Sequence, residues 1–467
     1  MAISTKILLS LVLFCLLGIL HCEGKATITS GLESQLRQRK FLNILVTMKE
    51  NPSTFLRGLM TVNSIERSSR INTMVKQLQT RAESSQQNLL NMIKLQRSSF
   101  PISYESLWVS NQVILRGVTP QTFKQIQAME EVLEINEEEF FTIQPLIESK
   151  PDLGRADMSQ WGIGSVEAPK AWSRGINGSG IIVGVIDTGA RGTHESLRSN
   201  YVGKQNYGWY DPVNRQAEPY DDNGHGTHTT GTIVGTSGIG VAPGAKWMAC
   251  KGCASESCSS LHLATCMQFM ACPTNSSGGS PNCSKAPHLV SNSWGGSVGG
   301  ERFYYRFIET LRAIGIVVLF AAGNSGPFCS TVGSPGDYDN VITVGAINSN
   351  NQVAYFSSAG PTYDRKIKPD IVAPGQGIRS AGHGADSEYI FMSGTSMACP
   401  HAAGVVALLL SKNSNLSPDQ VRMILNNSTE PVSAFGINCG LVRESMYPNN
   451  HGGHGRINAT KVLENNR

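Results

Sequence analysis

The chain has 467 residues, a formal net charge of +4, only 16% charged residues and 48 glycines. Its length allows two or three domains with a real core; it is too apolar for a disordered chain and too balanced in charge for a dedicated nucleic-acid binder. The glycines follow no three-residue period, which excludes collagen. Near the start, Lys6 precedes an apolar run from Ile7 to Leu20. That run is too short for a bilayer core about 30 Å thick and has the form of a signal-peptide h-region. Residues 1–24 are therefore expected to be a signal peptide, cut within Gly18–Lys25, on a secreted chain. No second long apolar run follows, so no membrane anchor is expected.

Residues 25–145 are poor in glycine and read as strand, helix, two strands, helix, strand. The strand Leu42–Met48 comes first, then a long polar helix with apolar spacing through Ile71, Met74, Val75, Leu78 and Leu89–Leu95. Two strands around Leu107–Leu115, a helix entered at Pro120 and a strand at Val132–Ile135 complete a β-α-β-β-α-β unit, a small α+β ferredoxin-like domain. Glu130, Glu131, Glu134, Glu137, Glu138 and Glu139 crowd its end, either as a solvated face or as part of an interface. Residues 146–160 are polar, contain Pro151 and Gly154, and read as a linker.

From residue 161 to 467 short apolar runs alternate with helical periodicities. The predicted strands are Ile181–Ile186, Lys246–Ala249, Leu289–Ser291, Ile316–Ala321 and Val341–Val344, with a helix over Glu301–Ile314. Continuous apolar runs of this length suit strands buried on both faces, so the fold class is α/β, a mostly parallel sheet flanked by helices.

Beyond the expected signal, nine cysteines remain: Cys250, Cys253, Cys258, Cys266, Cys272, Cys283, Cys329, Cys399 and Cys439. The CxxC spacing of Cys250 and Cys253 brings zinc into consideration, but no second CxxC completes a four-sulfur site. A secreted chain favours disulfides, and an odd count leaves one thiol over. Cys399, in an apolar helical run, is the candidate, with eight left for bridges. Sequons at Asn177, Asn275, Asn282, Asn415, Asn426, Asn427 and Asn458 suit a glycosylated secretory product.

Three segments carry chemistry. Asp187 follows the apolar run IIVGVI in VIDTG, which puts its carboxylate at the carboxyl edge of a parallel sheet. Alone it would be a turn former, and the paired carboxylates of an aspartic protease are missing. His225 lies in DDNGHGTHTTG; with His228 it also raises a metal reading, which lacks the i, i+4 spacing and a third ligand. Ser396, in MSGTSMACPHAAG, precedes an apolar helical run, so its hydroxyl sits near a helix N-terminus that favours developing negative charge. An ordinary N-cap would look the same. Ser297 in GGSVG matches a nucleophile elbow, but more glycine follows it where a helix is required.

Taken together, VIDTG, HGTH and GTSMA in the order Asp, His, Ser resemble the three signatures of the subtilase family of serine proteases. The resemblance covers residues 161–465, and residues 25–145 are similar to the inhibitory prodomain of that family. The cysteine-rich insert and WGIGSVEAPKAW are similar to the bacillopeptidase F-like branch. It implies a subtilisin-like fold and a self-processing zymogen whose linker carries the maturation site. Asp187, His225 and Ser396 would form the catalytic triad, with Asn324 as oxyanion donor. Ser293, Trp294 and Gly295 would pair with an extended substrate, Gly333 would form the floor of the pocket for the residue before the cut bond with Ser325 on its wall, and Gly323 would be a further substrate-binding residue. Neither the floor nor the wall of that pocket offers a carboxylate, so a roomy pocket for large apolar residues is expected. Met397, beside Ser396, is expected to confer peroxide sensitivity.

The resemblance implies protein or peptide substrates, the chain's own prodomain as intramolecular inhibitor, no nucleic-acid partner and a monomer. No cofactor is required; structural calcium is common in the family, but no site is assigned, and Asp221, Asp222 and Asn223 stand too close to His225 to form a separate one. Two other classes compete: a catalytically silent secreted binding module, and a metal-binding Cys/His protein centred on Cys250–Cys283.

Overall fold

The computed structural model describes residues 26–29, 32–59, 66–97, 101–143 and 161–465. The expected signal peptide and the 146–160 linker lie outside the described residues. The chain divides into two compact units. One takes in the residues up to Asn51 together with Arg81–Glu138, the other Pro52–Thr80 and Glu139–Arg467.

The smaller unit carries β1 (Thr27–Ile28), α1 (Leu32–Gln38) and β2 (Leu42–Met48). After α2 (Pro52–Leu59), which belongs to the larger unit, comes the long helix α3 (Arg67–Gln96). Then follow β3 (Ser103–Leu107), β4 (Gln112–Val118), α4 (Pro120–Gln127) and β5 (Val132–Glu137). The sheet order is β1-β5-β2-β4-β3. Apart from the added edge β1, this is the ferredoxin-like arrangement that the sequence predicts. Ile44, Val46 and Met48 alternate along β2 into a core shared with Leu89 and Ile93 of α3, as the period of two demands. Thr119 caps α4 by accepting from the Thr122 N–H, and Pro120 starts it where no backbone donor is needed.

The larger unit begins with β6 (Phe140–Thr142), α5 (Trp161–Ser165), α6 (Ala168–Trp172) and β7 (Ile182–Asp187). Next come β8 (Trp209–Tyr210), α7 (His225–Val234), β9 (Lys246–Lys251), β10 (Cys253–Ala254), β11 (Ser257–Ser259) and α8 (Ser260–Ala271). The chain continues through β12 (Leu289–Asn292), α9 (Tyr305–Ala313), β13 (Val317–Ala321), β14 (Ile342–Ile347) and β15 (Ile371–Pro374). It closes with β16 (Ile378–Ala381), β17 (Tyr389–Met392), α10 (Thr395–Lys412), α11 (Pro418–Asn426), β18 (Thr429–Glu430), β19 (Arg456–Ile457) and α12 (Ala459–Glu464).

Nine strands form one sheet in the order β18-β19-β15-β14-β13-β12-β7-β9-β8, parallel throughout except for the β18–β19 edge pair. This is the expected subtilisin-like α/β architecture. Every residue of β12 and β14 is buried, which explains why those strands read as unbroken apolar runs. α10 is buried from Thr395 to Leu410 and packs on β12, β13, β14 and β15, so it is a core helix. From β7 the strand order runs outward through β9 on one side and through β12 to β15 on the other. A crevice opens beyond the carboxyl ends of strands at such a switch point. The register pairs Asn292 with both Ile186 and Phe320, which brings Asp187, Ser293 and the residues after Ala321 to that one edge.

Some boundaries move. Asp187 is the last residue of β7 and not the first beyond it, and the helix expected from Glu301 starts at Tyr305.

Four disulfides form: Cys250–Cys266, Cys253–Cys258, Cys272–Cys283 and Cys329–Cys439. The two sulfurs of the CxxC pair go to different partners. Cys399 is the free, buried thiol among the described residues.

Candidate active site

Asp187 and His225 meet in the interior. The His225 ring Nδ1 and Asp187 Oδ1 are 2.7 Å apart, and both side chains are almost fully buried. Asp187 also accepts from the Thr188 N–H at 2.8 Å and from the Thr229 hydroxyl at 3.3 Å, which fixes its plane. The turn before α7 aims His225. Asp221 accepts from the N–H groups of Asn223, Gly224 and Thr227 and from the Thr227 hydroxyl, satisfying the free donors at the helix start. Those bonds hold the buried Asp221 carboxyl below its ordinary pKa, against the opposing effect of its burial. Asp222 accepts from Lys251, whose ammonium also donates to the Thr188 carbonyl. Gly226 has to be glycine, because a Cβ there would lie 2.1 Å from the Gly189 carbonyl oxygen.

Two opposing forces act on the His225 imidazole. Burial disfavours its charged form, but the Asp187 carboxylate, through charge and hydrogen bond, outweighs burial and lifts its pKa above the ordinary value. With Nδ1 engaged, Nε2 is buried without a hydrogen-bond partner, the one ring atom left to exchange a proton. His228 turns away, its Nε2 bonded to the Ile378 carbonyl at 3.0 Å, and burial pushes it down to about 3. The two histidines therefore do not converge as a ligand pair. Among the described residues no group of three or more His, Cys, Asp or Glu is placed to hold a metal.

Ser396 is the second residue of α10. Its hydroxyl donates to the Ser293 carbonyl at 3.2 Å, and the Ser293 hydroxyl donates to the Ser396 carbonyl at 3.0 Å. The Asn324 side-chain oxygen accepts from the Thr395 N–H at 2.8 Å and the Thr395 hydroxyl at 2.9 Å, which sets the orientation of the amide. Gly323 donates to the same Thr395 hydroxyl at 3.1 Å.

One pocket collects most of the remaining sequence-predicted residues. Ser293, Trp294, Gly295, Gly323, Asn324, Gly333 and Ser396 all line it. Among the described residues no charged side chain does. Trp294 is 5% exposed, and its ring lies edge-on to Tyr304 and Phe320 at about 5 Å, so the ring is core. Gly333 lets two loops meet, since a Cβ would lie 1.9 Å from the Gly296 carbonyl oxygen. With Thr142 as one wall, about 20 Å³ remains open, room for roughly one water. Ser297 sits exposed in the loop between β12 and α9, with no helix behind it.

The sequence did not single out β11 or β6. Thr142, Phe141 and Phe140 pair antiparallel with Ser257, Cys258 and Ser259. The Ile143 N–H donates to the Glu256 carbonyl, the Ser260 N–H donates to the Glu139 carbonyl, and the Glu139 N–H donates to the Ser260 hydroxyl. Cys258 carries the signal in hindsight: its bridge to Cys253 closes the β10–β11 hairpin that presents this edge.

The fold is that of a subtilisin-like α/β protein. The chain belongs to the subtilase family, which matches residues 178–461 and so takes in Asp187, His225, Asn324 and Ser396. It is similar to bacillopeptidase F of Bacillus subtilis, 31% identical over 92% of this chain and 32% of that protein. It is also similar to the serine protease AprX of the same species, 37% identical over 55% of this chain and 62% of that one. Subtilisin DY of Bacillus licheniformis is 35% identical, over 60% of this chain and 96% of its own length. The chain spans about a third of bacillopeptidase F and under two thirds of AprX. No helix among the described residues is long and apolar enough to cross a membrane.

Proposed function

We propose that the chain is a secreted serine endopeptidase, made as a self-processing zymogen, that cuts protein or peptide substrates with Asp187, His225 and Ser396. The observation that carries this is the buried 2.7 Å Asp187–His225 pair, with His225 on a helix, α7, that packs against α10, the helix carrying Ser396. In the reaction, Ser396 Oγ leaves the Ser293 carbonyl and attacks the scissile carbonyl as His225 Nε2 takes its proton. His225 then delivers that proton to the leaving amine, and water repeats the sequence to free the acyl group. Asp187 holds the imidazole tautomer and stabilises the imidazolium. The Asn324 amide and the Ser396 N–H, at the start of α10, face the negative charge that develops on the carbonyl oxygen.

Residues 25–145 act as the inhibitory prodomain in this reading, 146–160 carry the maturation site, and 161–467 are the catalytic domain. The strand-like pairing of Phe140–Thr142 with β11 supports it, because a substrate would add to the same edge. Four disulfides support the secretory route. The uncharged pocket supports a preference for apolar residues before the cut bond.

The decisive comparison is the full chain beside its Ser396→Ala variant, by N-terminal sequencing and peptide hydrolysis. The unaltered chain is expected to gain a new N-terminus within 140–160. Ser396→Ala should stay uncut and lose about 10⁴-fold or more in kcat. Undiminished hydrolysis by Ser396→Ala would overturn the reading, and a library cut mainly after Arg or Lys would overturn the pocket preference.

A further inference from the structure

Arg67 lies far in sequence from every residue of the site, yet its guanidinium donates to two successive backbone carbonyls, Ala286 at 3.1 Å and Pro287 at 2.6 Å. A planar fork meeting two fixed acceptors is the geometry in which Arg gains most over Lys. The acceptors are rigidly presented. Cys283 is bridged to Cys272 at the head of the short turn Cys283–Lys285, and Ala286 itself is 1% exposed. His288 follows, tied into the sheet by its N–H to Ile182 and its carbonyl to Val317. It stays neutral beside Arg67, pushed down to about 4 by burial and then by the Arg67 charge. Nearby, α2 packs on α9, and the Arg70 guanidinium lies against Gly315 just beyond the end of α9. These contacts gather at the amino end of β12. β6 meets β11 and the Ser396 pocket, where the carboxyl end of β12 delivers Ser293.

We propose that the Ala286–Pro287 carbonyls and the adjacent end of α9 form a second docking site for the chain's own N-terminal segment, clamped by Arg67. This rests on the zymogen reading above: the site holds that segment after the backbone is cut beyond β6. Two attachments at opposite ends of one strand make each rebinding intramolecular while the other persists. A single cut therefore does not free the cleft, and release requires the Arg67 clamp to open as well.

The test uses the full Ser396→Ala chain with a recognition sequence for an external site-specific protease placed within 146–160. After cutting, the rate at which the N-terminal piece leaves is read on an immobilised catalytic piece. Relative to Arg67, Arg67→Met is expected to speed departure at least tenfold. Arg67→Lys, which keeps the charge without the fork, should fall between. Uncut melting curves establish that each variant is folded; a variant that melts early is set aside and the other decides. Equal departure rates in a folded Arg67→Met or Arg67→Lys chain would overturn the clamp. The measurement needs no activity, so failure of the unaltered chain to process itself would sink the zymogen reading and leave the clamp result standing.

Discussion

Asp187 and His225 are 2% and 1% exposed and bonded to each other, with Asp221 and Lys251 bracing the turns on either side. Ser396 and Asn324 instead line a pocket whose walls are loops: Ser293–Gly296 after β12, Ala322–Asn324 after β13, and Gly333. The charged half is thus fixed by side-chain hydrogen bonds inside the fold. The neutral half is fixed by loops that meet at Gly333 and by the Ser293–Ser396 and Asn324–Thr395 hydrogen bonds, and in the proposed reaction a carbonyl substrate completes it. In the first half an altered side chain changes charge at the reacting atoms; in the second it changes one donor among several. Unequal losses follow.

Asp187→Asn should break the charged half with the largest effect. The amide keeps the shape but loses the charge and favours the wrong imidazole tautomer, so kcat should fall by about 10⁴-fold. The pH profile carries an independent sign. In the proposed reaction His225 must be neutral to accept the Ser396 proton, and its pKa stands above the ordinary 6.5 because Asp187 outweighs burial. The acid limb of kcat/KM should therefore lie above pH 6.5 in the unaltered enzyme and move down in Asp187→Asn. Stability runs the other way. A raised histidine pKa contributes stability in full below the unfolded value and loses it as pH rises through the folded one. Asp221, with its lowered pKa, contributes above its ordinary 3.8 and loses that only as pH falls through the depressed value. An acid limb at or below 6.5 would remove Asp187 as the electrostatic partner.

Asn324→Ala sharpens the comparison from the other side. It removes one donor to the developing oxyanion and leaves the Ser396 N–H, so kcat should drop about 10²–10³-fold with KM little changed. The acid limb should stay where it was, since His225 keeps its carboxylate. A loss as large as that of Asp187→Asn would mean that the two halves are not separable.

The two halves were also unequally legible. Asp187, His225 and Ser396 stand in short glycine-bearing runs beside an apolar strand or helix; each alone reads as a turn former, a possible ligand or a cap, and the three in that order became legible through the family resemblance. The pocket residues were legible through the family resemblance, and Trp294 shows the limit. It is among the residues lining the pocket, while its ring packs in the core with Tyr304 and Phe320, which no local pattern distinguishes. β11 was missed because Ser257, Cys258 and Ser259 carry no apolar alternation. That strand exists through its pairing with β6 and the Cys253–Cys258 bridge, both non-local. Fold class was readable for a related reason: strands buried on both faces announce themselves, and edge strands do not.

The smallest expected effect concerns two sulfurs close to Ser396 in sequence. Cys399 and Met397 are both fully buried in α10. Burial pushes the Cys399 thiol up to about 12, so almost none is thiolate at neutral pH and peroxide has little nucleophile there. Met397 needs no deprotonation to react. Its thioether packs with Ile378 and Met392, and its N–H closes the turn onto the Gly394 carbonyl beside Ser396. A sulfoxide oxygen has no polar partner in that cluster, so oxidation should strain this turn and shift Ser396, lowering kcat several-fold with slow onset because the sulfur is enclosed. Met397→Leu preserves volume and removes the oxidisable atom, so it should keep most of the starting kcat and lose the peroxide response. If Met397→Leu were inactivated as fast as the unaltered chain, the oxidisable group would lie elsewhere. The neutral half of the site would then be insensitive to the packing beneath it.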